Sequence, residues 1–317
     1  MTASDPVLAV VIGTLNRREQ LRQAIESIFA ETTVSVRVYV TDAGSTDGTL
    51  EYLQGLGDPR VVPVLEGRRL GQATAYNRVF RTLRTKHVCW LSDDNVIVNR
   101  GLDEAVAILE GDASVGLVAL KVRDRQGPFV EAPYIGGISP LGILNVNQGV
   151  LRTADLLRVG GFSEWFQLYG IDPDLTAKIL LGGGDVVYTR NVSIHHYRNW
   201  PADPKSPEFA RVMEQQKVSQ QKYLQKYGGL LPPSRRHEAK KRLWAWIKRR
   251  RPELAFINSG TPIDGHLPRD WHNAMMARFI DVKELAAPQT GRHHLRQHVP
   301  ADLRPKALPS DPPSGAA

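Results

Sequence analysis

Apolar and polar positions alternate in blocks over the first hundred residues of the chain. Residues 7–12, 34–40, 61–65 and 88–91 are short apolar runs rich in Val, which is typical of strands buried on both faces of a parallel sheet. The first helix is predicted by apolar residues at helical spacing, namely Leu21, Ala24, Ile25, Ile28 and Phe29. Strands that alternate with helices predict an α/β fold with a Rossmann-like, mostly parallel sheet flanked by helices.

Breaks in this pattern divide the chain into three predicted regions. Pro232 and Pro233 follow a polar helical stretch, and they end a catalytic domain that we place at residues 1–230. A basic helical extension is predicted for residues 231–300. From residue 301 the chain is rich in Pro, Ser and Ala, and this composition predicts a disordered tail over residues 301–317.

Composition narrows the class of protein. With 42% hydrophobic residues the chain can bury a sizeable core, and no apolar run approaches the roughly 20 residues that a membrane span needs. The N-terminus shows no basic segment followed by an apolar stretch, and the single cysteine, Cys89, excludes an intrachain disulfide. These features predict a cytoplasmic protein.

The net charge of +8 is concentrated in one segment. Residues 235–251 contain nine Lys and Arg and one acid, so this segment accounts for the whole net charge. If it forms one helix, Leu243, Trp246 and Ile247 share a face. That pattern suits peripheral contact with an anionic membrane surface at the inner face of the membrane. The alternatives are packing against the catalytic domain, a subunit contact and, less favoured, nucleic-acid binding.

Candidate chemistry lies where the predicted strands end. In open α/β sheets, ligands bind outside the carboxyl ends of the strands. Polar residues follow three of these ends, namely Asn16 with Arg17, Asp42, and Asp93 with Asp94. Adjacent carboxylates repel each other unless a cation is near, and Mg²⁺ or Mn²⁺ suits carboxylate and diphosphate oxygens. A solvated turn with an Asp helix cap is the alternative for the last pair.

Two further clusters follow later in the domain. Asp172 and Asp174 precede an apolar helical pattern, so helix capping competes with a catalytic role, above all for Asp174. His195 and His196 follow a short strand-like run, and alternation along a strand can turn one of them toward a site and the other away. A structural role is the alternative for either histidine.

Missing motifs argue against several nucleotide-dependent classes. The chain has no G-x-x-x-x-G-K-[ST] loop, which argues against P-loop nucleotide hydrolysis. It has no G-x-G-x-x-G after its first strand, which argues against a dehydrogenase. A single cysteine also excludes a cysteine-based zinc module.

Four sequence blocks stand in a recognisable order between about residues 6 and 200. They are V-V-I-G-T-L-N-R at residues 10–17, T-D-A-G-S-T-D-G-T at 41–49, W-L-S-D-D-N at 90–95, and G-G-F at 160–162 followed by Y-G-I-D-P-D-L at 169–175. Together they resemble the family-2 glycosyltransferases with the GT-A fold. The second and fourth blocks carry most of this resemblance.

The resemblance implies an inverting glycosyltransferase that moves a sugar from a UDP-, GDP- or dTDP-linked donor to an acceptor hydroxyl, as in cell-surface glycan synthesis. It implies that Asp172 is the catalytic base and that Asp94 ligates Mn²⁺ or Mg²⁺, with His195 as a further metal contact. Many relatives use lipid-linked acceptors. Donor binding is implied for the remaining candidates, which are Thr14, Asn16, Arg17, Asp42, Arg69, Gly71, Asn77 and Asp93.

Two positions depart from the family pattern. Ser92 stands where the first acid of the D-x-D motif is usual, so metal binding is expected to depend on Asp94. Ile171 replaces an acid directly before Asp172. Because a fold does not determine function, a nucleotidyl or sugar-nucleotide enzyme on a similar scaffold and a non-catalytic sugar-nucleotide-binding protein are the competing hypotheses.

Overall fold

The computed structural model describes residues 6–126, 130, 134–135, 139, 141–166, 169–199, 205–230, 235–251, 261–262, 281–286 and 293–312. Its strands are β1 (Leu8–Thr14), β2 (Val36–Asp42), β3 (Val61–Leu65), β4 (His87–Ser92), β5 (Asn95–Ile97), β6 (Val115–Asp124), β7 (Tyr134–Ile135), β8 (Gly149–Arg152), β9 (Asp185–His196), β10 (Thr261–Pro262), β11 (Asp281–Ala286) and β12 (His293–His298). Its α-helices are α1 (Arg18–Glu31), α2 (Thr49–Gly55), α3 (Gln72–Phe80), α4 (Gly101–Gly111), α5 (Thr153–Arg158), α6 (Ile171–Leu181), α7 (Pro207–Tyr227) and α8 (Arg235–Arg250).

One mixed sheet runs through the described residues in the order β11-β12-β9-β6-β8-β4-β1-β2-β3. Strands β4, β1, β2 and β3 are parallel, as their apolar runs predicted. Strand β8 is antiparallel to β4 and β6, and β9 is parallel to β6. The predicted α/β fold with a mostly parallel, helix-flanked sheet is therefore confirmed.

Two apolar cores cover the two faces of the sheet. Because side chains alternate along a strand, Ala9 and Val11 of β1 enter one core, whereas Val10 and Ile12 enter the other. Helix α3 packs on the first core and α1 on the second. Each fully buried Val, Leu or Ile stabilises the fold by roughly 1.5–3 kcal/mol. This packing fixes the carboxyl ends of β1, β2 and β4 at the same edge of the sheet.

The C-terminal extension is not purely helical, which corrects the sequence prediction. Helix α8 lies where the basic segment predicted it, but β12 pairs antiparallel with β9 and so joins the main sheet. Arg296 of β12 secures this pairing because its Nε atom donates to Asp185 Oδ2 of β9 at 2.6 Å. Most of the predicted extension between residues 252 and 292 lies outside the described residues.

The C-terminal tail packs against the catalytic domain. Val299 is buried, and Asp311 accepts hydrogen bonds from Ser163 Oγ at 2.8 Å and from Lys226 Nζ at 2.6 Å. The prediction of a disordered tail is therefore wrong for residues 301–312, because long-range contacts order a segment whose composition alone suggested none. Residues 313–317 lie outside the described part of the chain.

Candidate active site

A cavity of about 1110 Å³ opens at the carboxyl ends of β1, β2 and β4. Its wall contains most of the residues that the sequence had marked, which are Thr14, Arg17, Asp42, Arg69, Gly71, Asp93, Asp94 and Asp172. It also contains Ser92, which stands at the end of β4. The parallel topology explains this convergence, because strands that run in one direction end at one edge of the sheet.

Asp93 and Asp94 share one guanidinium. Arg17 Nη1 lies 3.0 Å from Asp93 Oδ1 and 3.3 Å from Asp94 Oδ2, and Thr14 Oγ1 donates to Asp93 Oδ2 at 2.9 Å. Burial raises the pKa of Asp93 to about 6, although Arg17 opposes the shift. Burial alone would also raise the pKa of Asp94, but His196 and Arg17 together hold it below its ordinary value. The carboxylate of Asp94 is thus the more persistent anion of the pair.

The cavity contains His196 rather than the predicted His195. His196 Nε2 lies 3.3 Å from Asp94 Oδ1, and its Nδ1 lies 3.1 Å from Asp124 Oδ1. Burial lowers the pKa of His196, but the two carboxylates outweigh it and the net shift is upward. His195 is turned away by the alternation of β9, so His196, and not the predicted His195, is the histidine beside Asp94.

Asp94 and His196 are the side chains at the edge of the cavity that would hold a divalent cation. Asp94 Oδ1 is buried and lacks a hydrogen bond of good geometry within the described residues. Nowhere in this part of the chain do three or more His, Cys, Asp or Glu side chains form a group suited to a metal ion. Two protein ligands still suffice for Mg²⁺ or Mn²⁺ when substrate phosphates and water complete the shell.

Asp172 occupies the first turn of α6 and lines the cavity. The helix follows Gly170, whose φ of 103° is a conformation that favours glycine. Asp172 Oδ1 accepts a hydrogen bond from Trp90 Nε1 at 3.1 Å, and the same N–H lies 2.9 Å from Asn147 O. Burial raises the pKa of Asp172 to about 8, against the opposing effect of Trp90. A carboxyl group with such a pKa can exchange a proton near neutral pH.

Asp174, two residues further along α6, has a structural role. Lys226 Nζ lies 2.6 Å from its Oδ1 atom, and Tyr227 OH donates to the same oxygen at 2.8 Å. Lys178 Nζ lies 3.3 Å from Oδ2. Asp174 is fully buried in this network, so it secures α6 against α7 and does not face the cavity.

Asn16, which was predicted to bind the donor, joins two loops and does not line the cavity. Its Oδ1 atom accepts the Thr46 backbone N–H at 2.7 Å, and its own N–H donates to Ser45 Oγ at 2.9 Å. Asp42 does line the cavity, but its carboxylate also accepts the backbone N–H groups of Gly44 and Ser45. These bonds shape the loop after β2 around the cavity.

Asn77, which was predicted to bind the donor, is bonded within the fold and lies outside the cavity wall. Its Nδ2 atom donates to Phe162 O at 2.8 Å and to Glu164 Oε1 at 3.0 Å, and its Oδ1 accepts the Phe162 N–H at 2.9 Å. The side chain is buried. It therefore ties α3 to the G-G-F block and not to a ligand.

Two parts of the cavity wall were missed by the sequence analysis. Trp90, which holds Asp172, lies one strand period before Ser92 on the same face of β4, and this spacing was the available signal. Helix α7 supplies a second wall through Met213, Gln216 and Tyr223. No motif marks α7, because its approach to the cavity depends on tertiary packing alone.

Comparison with known proteins identifies the class to which this fold and cavity belong. Residues 9–150 match the model of the family described as glycosyl transferase family 2. Among curated relatives, an uncharacterized glycosyltransferase of Rickettsia prowazekii is 27% identical over 33% of this chain and 32% of its own. The Escherichia coli protein named UDP-Glc:alpha-D-GlcNAc-diphosphoundecaprenol beta-1,3-glucosyltransferase WfaP is 19% identical over 33% of this chain and 41% of its own.

Solved structures show the same fold. TarS of S. aureus (residues 1–349), solved in complex with UDP-GlcNAc, aligns with a TM-score of 0.51 and 18% identity over 67% of this chain and 66% of its own. The mannosyltransferase PcManGT of Pyrobaculum calidifontis, solved with GDP-Man and Mn²⁺, aligns with a TM-score of 0.50 and 20% identity over 80% of this chain and 84% of its own. Residues 9–150 are therefore similar to glycosyltransferase family 2, and the chain shares the fold of these solved glycosyltransferases. It spans about a third of the length of the Rickettsia prowazekii relative.

Proposed function

We propose that this chain is an inverting glycosyltransferase that moves a sugar from a nucleoside-diphosphate donor to an acceptor hydroxyl. The observation that carries the proposal is the position of Asp172, a partly buried carboxyl group with a pKa raised to about 8, in the same cavity as Asp93, Asp94 and His196. A general base in the same cavity as side chains that would hold a divalent cation is what displacement of a nucleoside diphosphate by a hydroxyl requires.

Asp172 acts as the general base in this mechanism. Its carboxylate takes the proton from the acceptor hydroxyl while that oxygen forms a bond to the anomeric carbon of the donor sugar. The bond between this carbon and the diphosphate oxygen breaks, the electron pair stays on the diphosphate, and the configuration at the carbon inverts. Trp90 orients the carboxylate through its single N–H during this step.

The donor binds at the edge formed by the loops after β1, β2 and β4. Arg17 and Arg69 line the cavity, and their positive charges bind the diphosphate. Asp42 also lines the cavity, and it contacts the nucleoside. Asp94 and His196 would hold Mn²⁺ or Mg²⁺, which when bound neutralises the charge of the departing diphosphate. Thr14 and the Gly71 backbone complete the donor side of the cavity.

The acceptor lies against helix α7. The α7 residues of the cavity wall combine the apolar side chain of Met213 with polar groups such as Gln216 and Gln220. The name of the E. coli relative describes a lipid-diphosphate-linked sugar as its acceptor. By analogy, a lipid-linked hydroxyl acceptor at the cytoplasmic face of a membrane is proposed here. Buried Cys89, a free thiol, agrees with a reducing compartment.

Calorimetric titration of UDP, GDP and dTDP, with and without Mn²⁺, tests the donor site. The expected result is metal-dependent binding of one nucleotide by the wild type and loss of that binding in Asp94→Asn. Asp302→Asn serves as the matched control, because Asp302 is exposed and outside the cavity wall. Nucleotide affinity that is the same with and without Mn²⁺, and the same in wild type and Asp94→Asn, would contradict the proposed metal ligands.

Product analysis tests the reaction itself. Glycosyl transfer releases a nucleoside diphosphate, whereas nucleotidyl transfer would release pyrophosphate. Asp172→Asn should bind the donor nucleotide as the wild type does but release no nucleoside diphosphate. Equal turnover by wild type and Asp172→Asn would remove Asp172 from the mechanism, and pyrophosphate release would favour the competing enzyme class.

A further inference from the structure

Helix α8 carries a concentration of exposed apolar and cationic side chains. Leu243, Trp244 and Trp246 are 55%, 44% and 51% exposed. Other large exposed apolar side chains, such as Leu65 and Leu157, stand on separate elements. Scattered exposed apolar residues are ordinary, whereas three within four positions of one helix indicate a surface that contacts a partner.

The charge of this helix is equally concentrated. Residues 235–251 contain nine Lys and Arg against one acid, and the rest of the chain is neutral on balance. Arg242, Arg249, Arg250 and Arg251 are all exposed. The guanidinium of Arg250 stacks over the ring of Trp246 at 4.1 Å from its centroid, so the cationic and aromatic groups form one continuous surface.

The arrangement along the helix indicates which partner fits. Leu243, Trp246 and Ile247 are spaced i, i+3 and i+4, which places them on one stripe, and exposed arginines flank it. A helix of this kind lies in a bilayer interface, with its apolar stripe among the acyl chains and its cations at anionic headgroups. Nucleic acid would use the arginines, but it offers no apolar environment for leucine and isoleucine. Within the described residues no helix has the length and hydropathy to span a bilayer.

We propose that α8 docks this protein on the surface of an anionic phospholipid bilayer, through Leu243, Trp244, Trp246 and the arginines at 242 and 249–251. Docking of this kind is reversible and needs both the apolar stripe and the positive charge. The inference does not depend on the reaction assigned to the cavity, because the helix residues that carry it lie outside the cavity wall.

Co-sedimentation of the full-length chain with vesicles tests this surface. Vesicles of phosphatidylcholine mixed with phosphatidylglycerol are compared with vesicles of phosphatidylcholine alone, at low and high salt. The wild type should bind the anionic vesicles, and the bound fraction should fall as salt rises. The double variant Trp244→Ala/Trp246→Ala should bind at least about tenfold more weakly, since both indoles leave the interface.

Two control variants separate this surface from a general effect of charge or hydropathy. Arg249→Glu/Arg250→Glu is matched by Arg84→Glu, an exposed arginine on another part of the chain. The Trp variant is matched by Leu157→Ala, which is 44% exposed on α5. Only the α8 variants should lose vesicle binding, while circular dichroism and nucleotide titration stay as in the wild type.

Three outcomes would overturn the proposal. The first is equal binding of the wild type to neutral and anionic vesicles, or to neither. The second is equal loss of binding in the control variants. The third is displacement from vesicles by a single- or double-stranded oligonucleotide that binds equally well to the Trp variant, which would assign the arginines to nucleic acid.

Discussion

Replacing Trp90 with phenylalanine removes the indole N–H that donates to Asp172 while it keeps an aromatic ring in the core. The indole donates to Asp172 Oδ1 at 3.1 Å and packs edge-on against Phe162, with the ring centroids 5.7 Å apart. A hydrogen bond to a charged group contributes about 1.5–3 kcal/mol, and one pKa unit corresponds to about 1.4 kcal/mol. Because the neutral carboxyl group loses part of the same bond, we expect the pKa of Asp172 to rise by roughly one unit.

The pH dependence of kcat/KM measures this shift. The base acts as a carboxylate, so activity should rise with pH through the pKa of Asp172, which burial raises to about 8. In Trp90→Phe the midpoint of this rise should move upward by about one unit, and the rates should approach each other at high pH. Release of nucleoside diphosphate is the quantity to follow.

Trp165→Phe is the matched control for this variant. Trp165 also packs on a neighbouring phenylalanine, Phe166, with ring centroids 5.2 Å apart, but it lies outside the cavity wall. Its pH profile should match that of the wild type. A Trp90→Phe profile that falls uniformly at all pH values, with an unchanged midpoint, would refute the reasoning, because it would show that the indole contributes packing alone.

Four other predictions follow from the same contacts. Asp172 has a folded-state pKa of about 8 against an unfolded value of 3.8. The wild type should therefore lose stability as pH rises between these values, and Asp172→Asn should lack this loss in urea unfolding. His196→Ala should weaken Mn²⁺-dependent nucleotide binding about tenfold or more, whereas His195→Ala should leave the titration unchanged. Asn77→Ala should lower the free energy of unfolding by about 2–3 kcal/mol, because it leaves buried backbone groups unpaired, and should keep nucleotide binding. Asp311→Asn should cost about 1–2 kcal/mol in thermal unfolding, and an unchanged melting temperature would show that the tail contacts are incidental.

Much of the site was readable from the order of residues along the chain. Continuous apolar runs predicted β1 and β4, because strands buried on both faces tolerate few polar residues. Polar residues after those strands then had to meet at one edge of the sheet, which is why Arg17, Asp93 and Asp94 were found together. Asp172 was identified from its motif, and the structure places it in the same cavity.

The tertiary structure decided which way each side chain faces and which residues, distant along the chain, it contacts. Period-two alternation shows that His195 and His196 face opposite ways, but only the pairing of β9 determines that His196 meets Asp94. Asn16 and Asn77 carry polar side chains that suit a ligand equally well, and their actual partners lie 30 and 85 residues away. Such hydrogen bonds form only once packing has brought the segments together, so the local sequence pattern does not predict them. The same holds for the α7 wall and for the tail, whose composition suggests disorder and whose contacts with Ser163 and Lys226 impose order.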